Sequence, residues 1–197
     1  MPTKREATKK AIINAFTTLA YEQEDVKTIS VKSIIDRAQI SRSTFYAYFD
    51  NIGDITAEMA KLYGQDISAE MKKNTYINED INGYRGLYYR LLTYIKDHRK
   101  IAETILLNYS NSEVTEAISQ PVLETMYGML RKTHMDVDKR TLQYAATKWG
   151  YGFYGSMKMW LKDGCQPEIE EMSAILEEAA SFTNDFIFGV EFAQNKV

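Results

Sequence analysis

The chain has 197 residues, 45% hydrophobic and 26% charged, the balance of an ordinary globular protein that can hold one large domain or a small one joined to a larger. A single cysteine, Cys165, excludes an internal disulfide framework, and no apolar run approaches the roughly 18 residues that a membrane span needs. The segment AIINAFTTLA is broken by polar residues and lacks a small-residue cleavage pattern, so it is not read as a signal peptide, and a cytoplasmic location with no membrane partner is expected. The net charge of −3 divides unevenly: residues 1–50 carry eight Lys/Arg against six acids, and the remainder carries sixteen against twenty-one. A mildly basic head on an acidic body is what a chain needs when only the head meets a polyanion.

Three prolines and the lack of strand-type alternation predict an all-α protein. A first helix is expected over 4–22, with Ile12, Phe16 and Leu19 on one face. Ser30 is a good N-cap for a second, short helix that buries Val31, Ile34, Ile35 and Ala38. Ser41 can cap a third, whose inward positions, Phe45 and Phe49, lie four apart. A fourth starts near Ile52 and runs to the early 70s, with Ile55, Met59, Leu62 and Tyr63 inward. Longer helices are expected over 81–97, 99–109, 113–133, 138–163 and 168–192. Pro121 is expected to kink or interrupt the 113–133 element. Asp138 reads as an N-cap, Gly164 as a residue just past a helix end, and Glu168, Glu170 and Glu171 as complements to the dipole of the last helix.

The eleven residues ISRSTFYAYFD (40–50) combine an arginine, three hydroxyls and four rings. Together with the preceding SVKSIIDRAQ they have the helix, short turn, helix spacing of a helix-turn-helix. Ile34, Ile35, Ala38, Ile40, Phe45 and Phe49 must lock two helices too short to be stable alone. The other face is then free to enter a major groove. Arg42 can reach a guanine edge or a phosphate, Ser43 and Thr44 can bond to either, Ala47 leaves room or touches a thymine methyl, and the phenols of Tyr46 and Tyr48 can donate to phosphate oxygens.

The segment resembles the DNA-binding domain of the TetR family of transcriptional regulators, whose pattern S-x-x-T-φ-Y-x-[HY]-F is met by Ser41, Thr44-Phe45-Tyr46 and Tyr48-Phe49. Thr28-Ile29-Ser30-Val31, Ile34-Ile35 and Ala38 fit the preceding helix, and the match covers roughly residues 8–60. The resemblance implies a helix-turn-helix DNA-binding domain over 1–50, a connecting helix from about 52, and a larger helical ligand-binding and dimerisation domain over 51–197. The expected DNA contacts are Thr28, Ser30, Lys32, Arg42, Ser43, Thr44, Tyr46, Ala47 and Tyr48. Two positions depart from the pattern. Gln39 stands where the family usually has glycine, so a side chain has to accept strained backbone. Ile52 stands where a lysine usually contacts phosphate; a backbone N–H at the helix start can partly replace that contact. Normal docking with fewer charged phosphate contacts is the expectation.

The body is rich in soft and aromatic side chains, and a bundle lined this way can hold an apolar or aromatic effector. Tyr88, Tyr109, Met126, Trp149, Phe153 and Met157 are the expected pocket residues; a filled core is the alternative. WGYGFYGS (149–156) sets three glycines inside a helix, each costing about 1 kcal/mol relative to alanine, which close approach of another helix or a ligand would offset. The last helix has more apolar surface than one side needs, and the resemblance implies a homodimer through the last two helices, with Trp160, Ile175, Ala179, Phe182 and Phe186 at the interface. No cofactor, metal or catalytic constellation is expected: His134 and Asp136 read as loop, His98 as a helix C-terminal cation, and Cys165 has no histidine near it in sequence. The expected function is that of a ligand-responsive regulator, a repressor, whose partners are double-stranded DNA, a second copy of itself and an unknown small molecule. The alternative is a helical co-regulator acting by protein contacts, with weakened DNA binding.

Overall fold

The computed structural model describes residues 3–73 and 84–180, and all regular structure among them is helical. Helix α1 (Lys4–Glu22) begins in a capping box, the Thr3 hydroxyl accepting from the Glu6 N–H while the Glu6 carboxylate accepts from Thr3 N–H. It buries Ile12, Phe16 and Leu19, as its spacing requires. A short 3₁₀ turn (Val26–Thr28) leads into α2 (Val31–Ala38), which Ser30 and Ser33 cap reciprocally. Helix α3 is one turn, Arg42–Tyr46, started by the Ser41 hydroxyl on the Thr44 N–H. Ile34 and Phe45 are fully buried and Phe49 nearly so, with Ile35, Ala38 and Ile40 half-buried against them.

Between α2 and α3 Gln39 sits in the left-handed region, φ 53° and ψ 46°, and its N–H and that of Ile40 bond back to Asp36 and Ile35. A residue with a side chain adopts this conformation at a cost of about 1–2 kcal/mol. The strain expected from the missing glycine is therefore present.

Helix α4 (Ile52–Lys72) runs from beside the N-terminal unit into the body. Ile55, Met59 and Tyr63 point inward, but Leu62 is 42% exposed, so the inward stripe passes through Tyr63 and Gly64 instead. The body continues with α5 (Tyr84–Asp97), α6 (Arg99–Glu103), a π-helical turn (Thr104–Asn108), α7 (Ser112–Thr133), α8 (Lys139–Lys162) and α9, described over 169–180. The single helix expected over 99–109 is thus α-helical only in its first half. Pro121 does not interrupt α7, whose helical backbone runs through it. Residues 81–83 and 181–192 of the expected helices lie outside the described residues.

Helices α4 and α7 meet without clearance at Gly64. A methyl group built there would lie 2.3 Å from the Ile118 carbonyl oxygen, so glycine is what lets the two backbones touch. Of the glycines in α8, Gly150 is a similar case, its absent side chain replaced by Leu123, whereas Gly152 and Gly155 face open space within the chain. Asp138 caps α8 through the N–H groups of Arg140 and Thr141, and Gly164, at φ 72°, follows its end.

The buried apolar side chains form one cluster from Ile12 and Phe45 through to Met172 and Leu176. Two polar contacts tie the body to the loop before α2. Tyr109 Oη donates to the Val26 carbonyl at 3.0 Å, and Lys100 Nζ donates to that of Gln23 at 3.2 Å. The Tyr109 ring also meets Phe16 edge-on, centroids 6.0 Å apart.

Candidate nucleic-acid interface and effector cavity

Phe45 and Phe49 pin the turn that follows Ser41, and the intervening side chains point away from them. Arg42, Ser43, Tyr46 and Ala47 are exposed, and Thr44 and Tyr48 are half-buried. Among the described residues no helix covers the ridge. Its polar groups are organised locally. The Ser41 hydroxyl lies 2.8 Å from that of Ser43 and 2.7 Å from that of Thr44. The Arg42 guanidinium lies 5.6 Å from the Tyr46 ring centroid and within 3.4 Å of its hydroxyl. Arg42 meets no carboxylate among the described residues, so its charge is available to an anion. Arg37, by contrast, is held by Glu22, whose carboxyl this pairing keeps below the usual range, and Lys9 pairs with Glu58 at 2.8 Å.

Ser30 and Thr28 are exposed, yet both hydroxyls already serve the chain: Ser30 caps α2, and Thr28 donates to the Asp25 carbonyl at 2.7 Å. Lys32 is exposed one residue into α2.

Around Ile52 the start of α4 uses some of its backbone donors itself. Asn51 caps the helix, and Asp54 Oδ2 accepts from the N–H of Asp50 at 2.7 Å and of Asn51 at 3.3 Å. Those two donors are taken, and the carboxylate that takes them would repel a phosphate. The sequence carries the signal, since Asn51-x-x-Asp54 has capping-box spacing.

In the body the expected pocket residues separate into two groups. Tyr88, Trp149 and Phe153 stack on one another, the Trp149 and Phe153 rings 5.3 Å apart and within 5° of parallel, and Trp149 Nε1 donates to Tyr88 Oη at 3.1 Å. Tyr88 and Trp149 fill space, whereas Phe153 also forms part of a cavity wall. Met126 is buried in the core, and Tyr109 belongs to the contact with the N-terminal unit. Beside the stack lies a cavity of about 40 Å³, more than the 10–15 Å³ or so that a water molecule needs. Phe153 and Met157 line it, together with Tyr63, Leu106, Ser119 and Tyr154, which are not among the six expected pocket residues. No charged side chain lines it. At its edge the Tyr154 hydroxyl lies within hydrogen-bond reach of Ser110 (3.2 Å) and Thr115 (3.1 Å), and Lys158 donates to Ser110 at 2.8 Å.

Of the expected interface residues, Ile175 and Ala179 are exposed on α9, and Phe182 and Phe186 lie outside the described residues. Trp160 departs from the expectation. It is 1% exposed, and its indole N–H donates to the Pro167 carbonyl at 2.8 Å, so it closes the chain's own turn after α8. The exposed apolar side chains of α8 are Tyr144, Tyr151 and Met159.

Comparisons with known proteins agree with this architecture. Residues 85–181 match the family model described as "Transcriptional regulator C-terminal region". No curated protein matches the sequence. Among solved structures, a TetR-family transcriptional regulator from Syntrophomonas wolfei superposes with a TM-score of 0.67 at 13% identity, covering 91% of this chain and 96% of that one. FadR from Bacillus subtilis, in complex with stearoyl-CoA, gives 0.59 at 16% identity, covering 86% and 95%. SmeT, the repressor of the Stenotrophomonas maltophilia multidrug efflux pump SmeDEF, gives 0.60 at 17% identity, covering 87% of each chain. At these identities the likeness to the solved structures is one of fold.

Proposed function

We propose that this chain, which belongs to the TetR family of transcriptional regulators, is an effector-responsive repressor that reads a palindromic operator as a homodimer. The observation that carries the reading is the exposed ridge Arg42–Tyr48 standing on buried Phe45 and Phe49. A ridge of guanidinium, hydroxyl and phenol groups, uncovered by the other described residues, suits base edges and phosphates in a major groove. On this reading residues 1–50 are the DNA-binding domain, α4 from about 52 is the connection, and 51–197 bind the effector and the second copy. The exposed Tyr144, Tyr151 and Met159 of α8 and Ile175 and Ala179 of α9 support a self-complementary contact there.

Effector binding would act through α4 and the π-helical turn. Leu106 in that turn lines the cavity, and Tyr109, three residues on, bonds to Val26 just before the helix-turn-helix. A shift of either element changes the separation of the two DNA-binding units in a dimer, which is how an effector would release DNA. FadR with its acyl-CoA and SmeT are precedents for this architecture in a regulator and a repressor.

The test is a gel-shift titration on the DNA flanking the chain's own gene. A sequence-specific complex at moderate salt is expected, weakened by Arg42→Ala and Tyr48→Ala. Absence of any specific shift would overturn the reading. The co-regulator alternative has the acidic start of α4 in its favour, and it predicts that both substitutions leave activity intact.

A further inference from the structure

The exposed ridge carries its polar groups unequally. The hydroxyls of Ser43 and Thr44 lie 2.8 and 2.7 Å from that of Ser41, which itself caps α3, so both are drawn back toward the helix start. Ala47 has no polar side-chain atom, and Tyr48 is half-buried. Arg42, the first residue of α3, is different. Of its five N–H donors only one, on Nη2, has a partner among the described residues, the Tyr46 hydroxyl at 3.4 Å.

The guanidinium is nevertheless placed. It lies over the Tyr46 ring, 5.6 Å from the centroid, a contact that the i, i+4 spacing of the two residues allows. Tyr46 is held in turn by the fully buried Phe45, whose ring it meets edge-on, centroids 5.4 Å apart and planes at 85°. The order of support therefore runs from the core through Phe45 and Tyr46 to Arg42. An arginine that reaches DNA from such a platform has given up part of its rotamer freedom beforehand, so less is lost on docking.

Four donors in one plane, with no acceptor among them, set the kind of base. Guanine offers two acceptors, N7 and O6, on its major-groove edge. Adenine sets a donor beside its acceptor, thymine a methyl group beside its own, and cytosine presents a donor. We infer that Arg42 reads a guanine in each half of the DNA site, and that Tyr46 positions its guanidinium rather than contacting phosphate. The inference rests on the DNA-reading function proposed above and deepens it, since that reading leaves the bases unspecified.

The experiment selects binders of the full chain from a library of random double-stranded DNA, then measures Kd on the enriched sequence at one salt concentration. Wild type is expected to enrich a guanine at the same place in each half. Exchanging that G·C pair for A·T in one half should weaken binding about tenfold or more; tenfold corresponds to about 1.4 kcal/mol. Arg42→Ala should bind the two duplexes within about twofold of one another while keeping its preferences elsewhere in the site. Tyr46→Leu, which removes the ring, should lower the guanine-to-adenine ratio about threefold or more, and Tyr46→Phe, which keeps it, should restore most of the ratio. Once Arg42 is alanine, Tyr46→Leu should lower the ratio no further. Each readout is a ratio of two affinities of one preparation, so partial unfolding of a variant does not imitate it.

A ratio that survives Arg42→Ala, or an enriched site with no guanine that depends on Arg42, overturns the base assignment. A ratio untouched by Tyr46→Leu overturns the positioning role. In both cases a wild type that still selects a sequence leaves the regulatory reading standing. A wild type that enriches no sequence removes the DNA-reading function, and this inference with it.

Discussion

Gly64→Ala probes the contact on which communication along α4 would depend. The added methyl group would lie 2.3 Å from the Ile118 oxygen and 3.0 Å from its carbon. That is about 1 Å inside ordinary carbon–oxygen approach. The atom struck is backbone, so no rotamer change can relieve it, and α4 and α7 must separate. Overpacking of this kind costs about 1–3 kcal/mol. Replacing a helix-interior glycine by alanine returns about 1 kcal/mol. The net expectation is a loss of up to about 2 kcal/mol, or a Tm lower by up to about 8 °C for a chain of this size. Gly128→Ala, on α7, is the control: nothing lies within 4 Å of its added methyl, so only the gain in helix propensity remains and Tm should rise by a few degrees, about 2–4 °C. Thermal unfolding followed by circular dichroism at one protein concentration compares the three. If Gly64→Ala melts as high as Gly128→Ala, the two helices are not in backbone contact and the route proposed from cavity to DNA loses its basis. Under the proposed function the same variant should also bind operator more weakly, because parting the helices displaces α4.

Three further outcomes are expected. Gln39→Gly removes the side chain from a left-handed backbone and should raise the urea midpoint by up to about 1 kcal/mol in stability; a lower midpoint would mean that the side chain stabilises the turn in a way its geometry does not reveal. Ile52→Lys restores a cation at the start of α4, and the slope of log affinity against log salt should steepen by about one unit, an unchanged slope showing that position 52 does not face phosphate. Glu22 has its carboxyl lowered by the hydrogen bonds from Arg37, so the pair adds stability above the ordinary carboxylate value of about 4.3 and loses it as pH falls through the lowered one. The advantage of wild type over Glu22→Gln, small for so exposed a pair, should therefore vanish in acid; an advantage that grows below about pH 3 contradicts this sign.

Much of the helical order was legible from local chemistry. Ser30, Ser41 and Asp138 are caps with short hydroxyl or carboxylate side chains, and each begins a helix at the expected residue. Phe45 and Phe49, four apart, could share only one face, which assigned the remaining side chains of the 41–49 segment to the other. What escaped is chemistry that depends on a second helix. Tyr63 is placed inward by its spacing alone, but that Ser119 shares a cavity with it shows only once α4 and α7 are seen to approach at Gly64. The spacing Gly64-x-x-x-Ser68 was the available signal, small residues one turn apart, and Ser68 is indeed buried with its hydroxyl donating to the Gly64 carbonyl. Trp160 misled because a large apolar residue near the end of a helix serves an interface or a turn equally well, and only the Pro167 carbonyl decides between them. The π-helical turn at 104–108 has no compositional mark, since TILLN suits an α-helix as well.

The clasp between body and DNA-reading end has a property that follows from its acceptors. Tyr109 and Lys100 both reach main-chain carbonyls, those of Val26 and Gln23. Every residue type offers such an oxygen, so the loop can drift in sequence without losing either bond, provided its path is kept. The vulnerability is all on the donor side. Two codons, 100 and 109, carry the linkage, and homologues that diverge freely across 23–28 should still keep a donor at each.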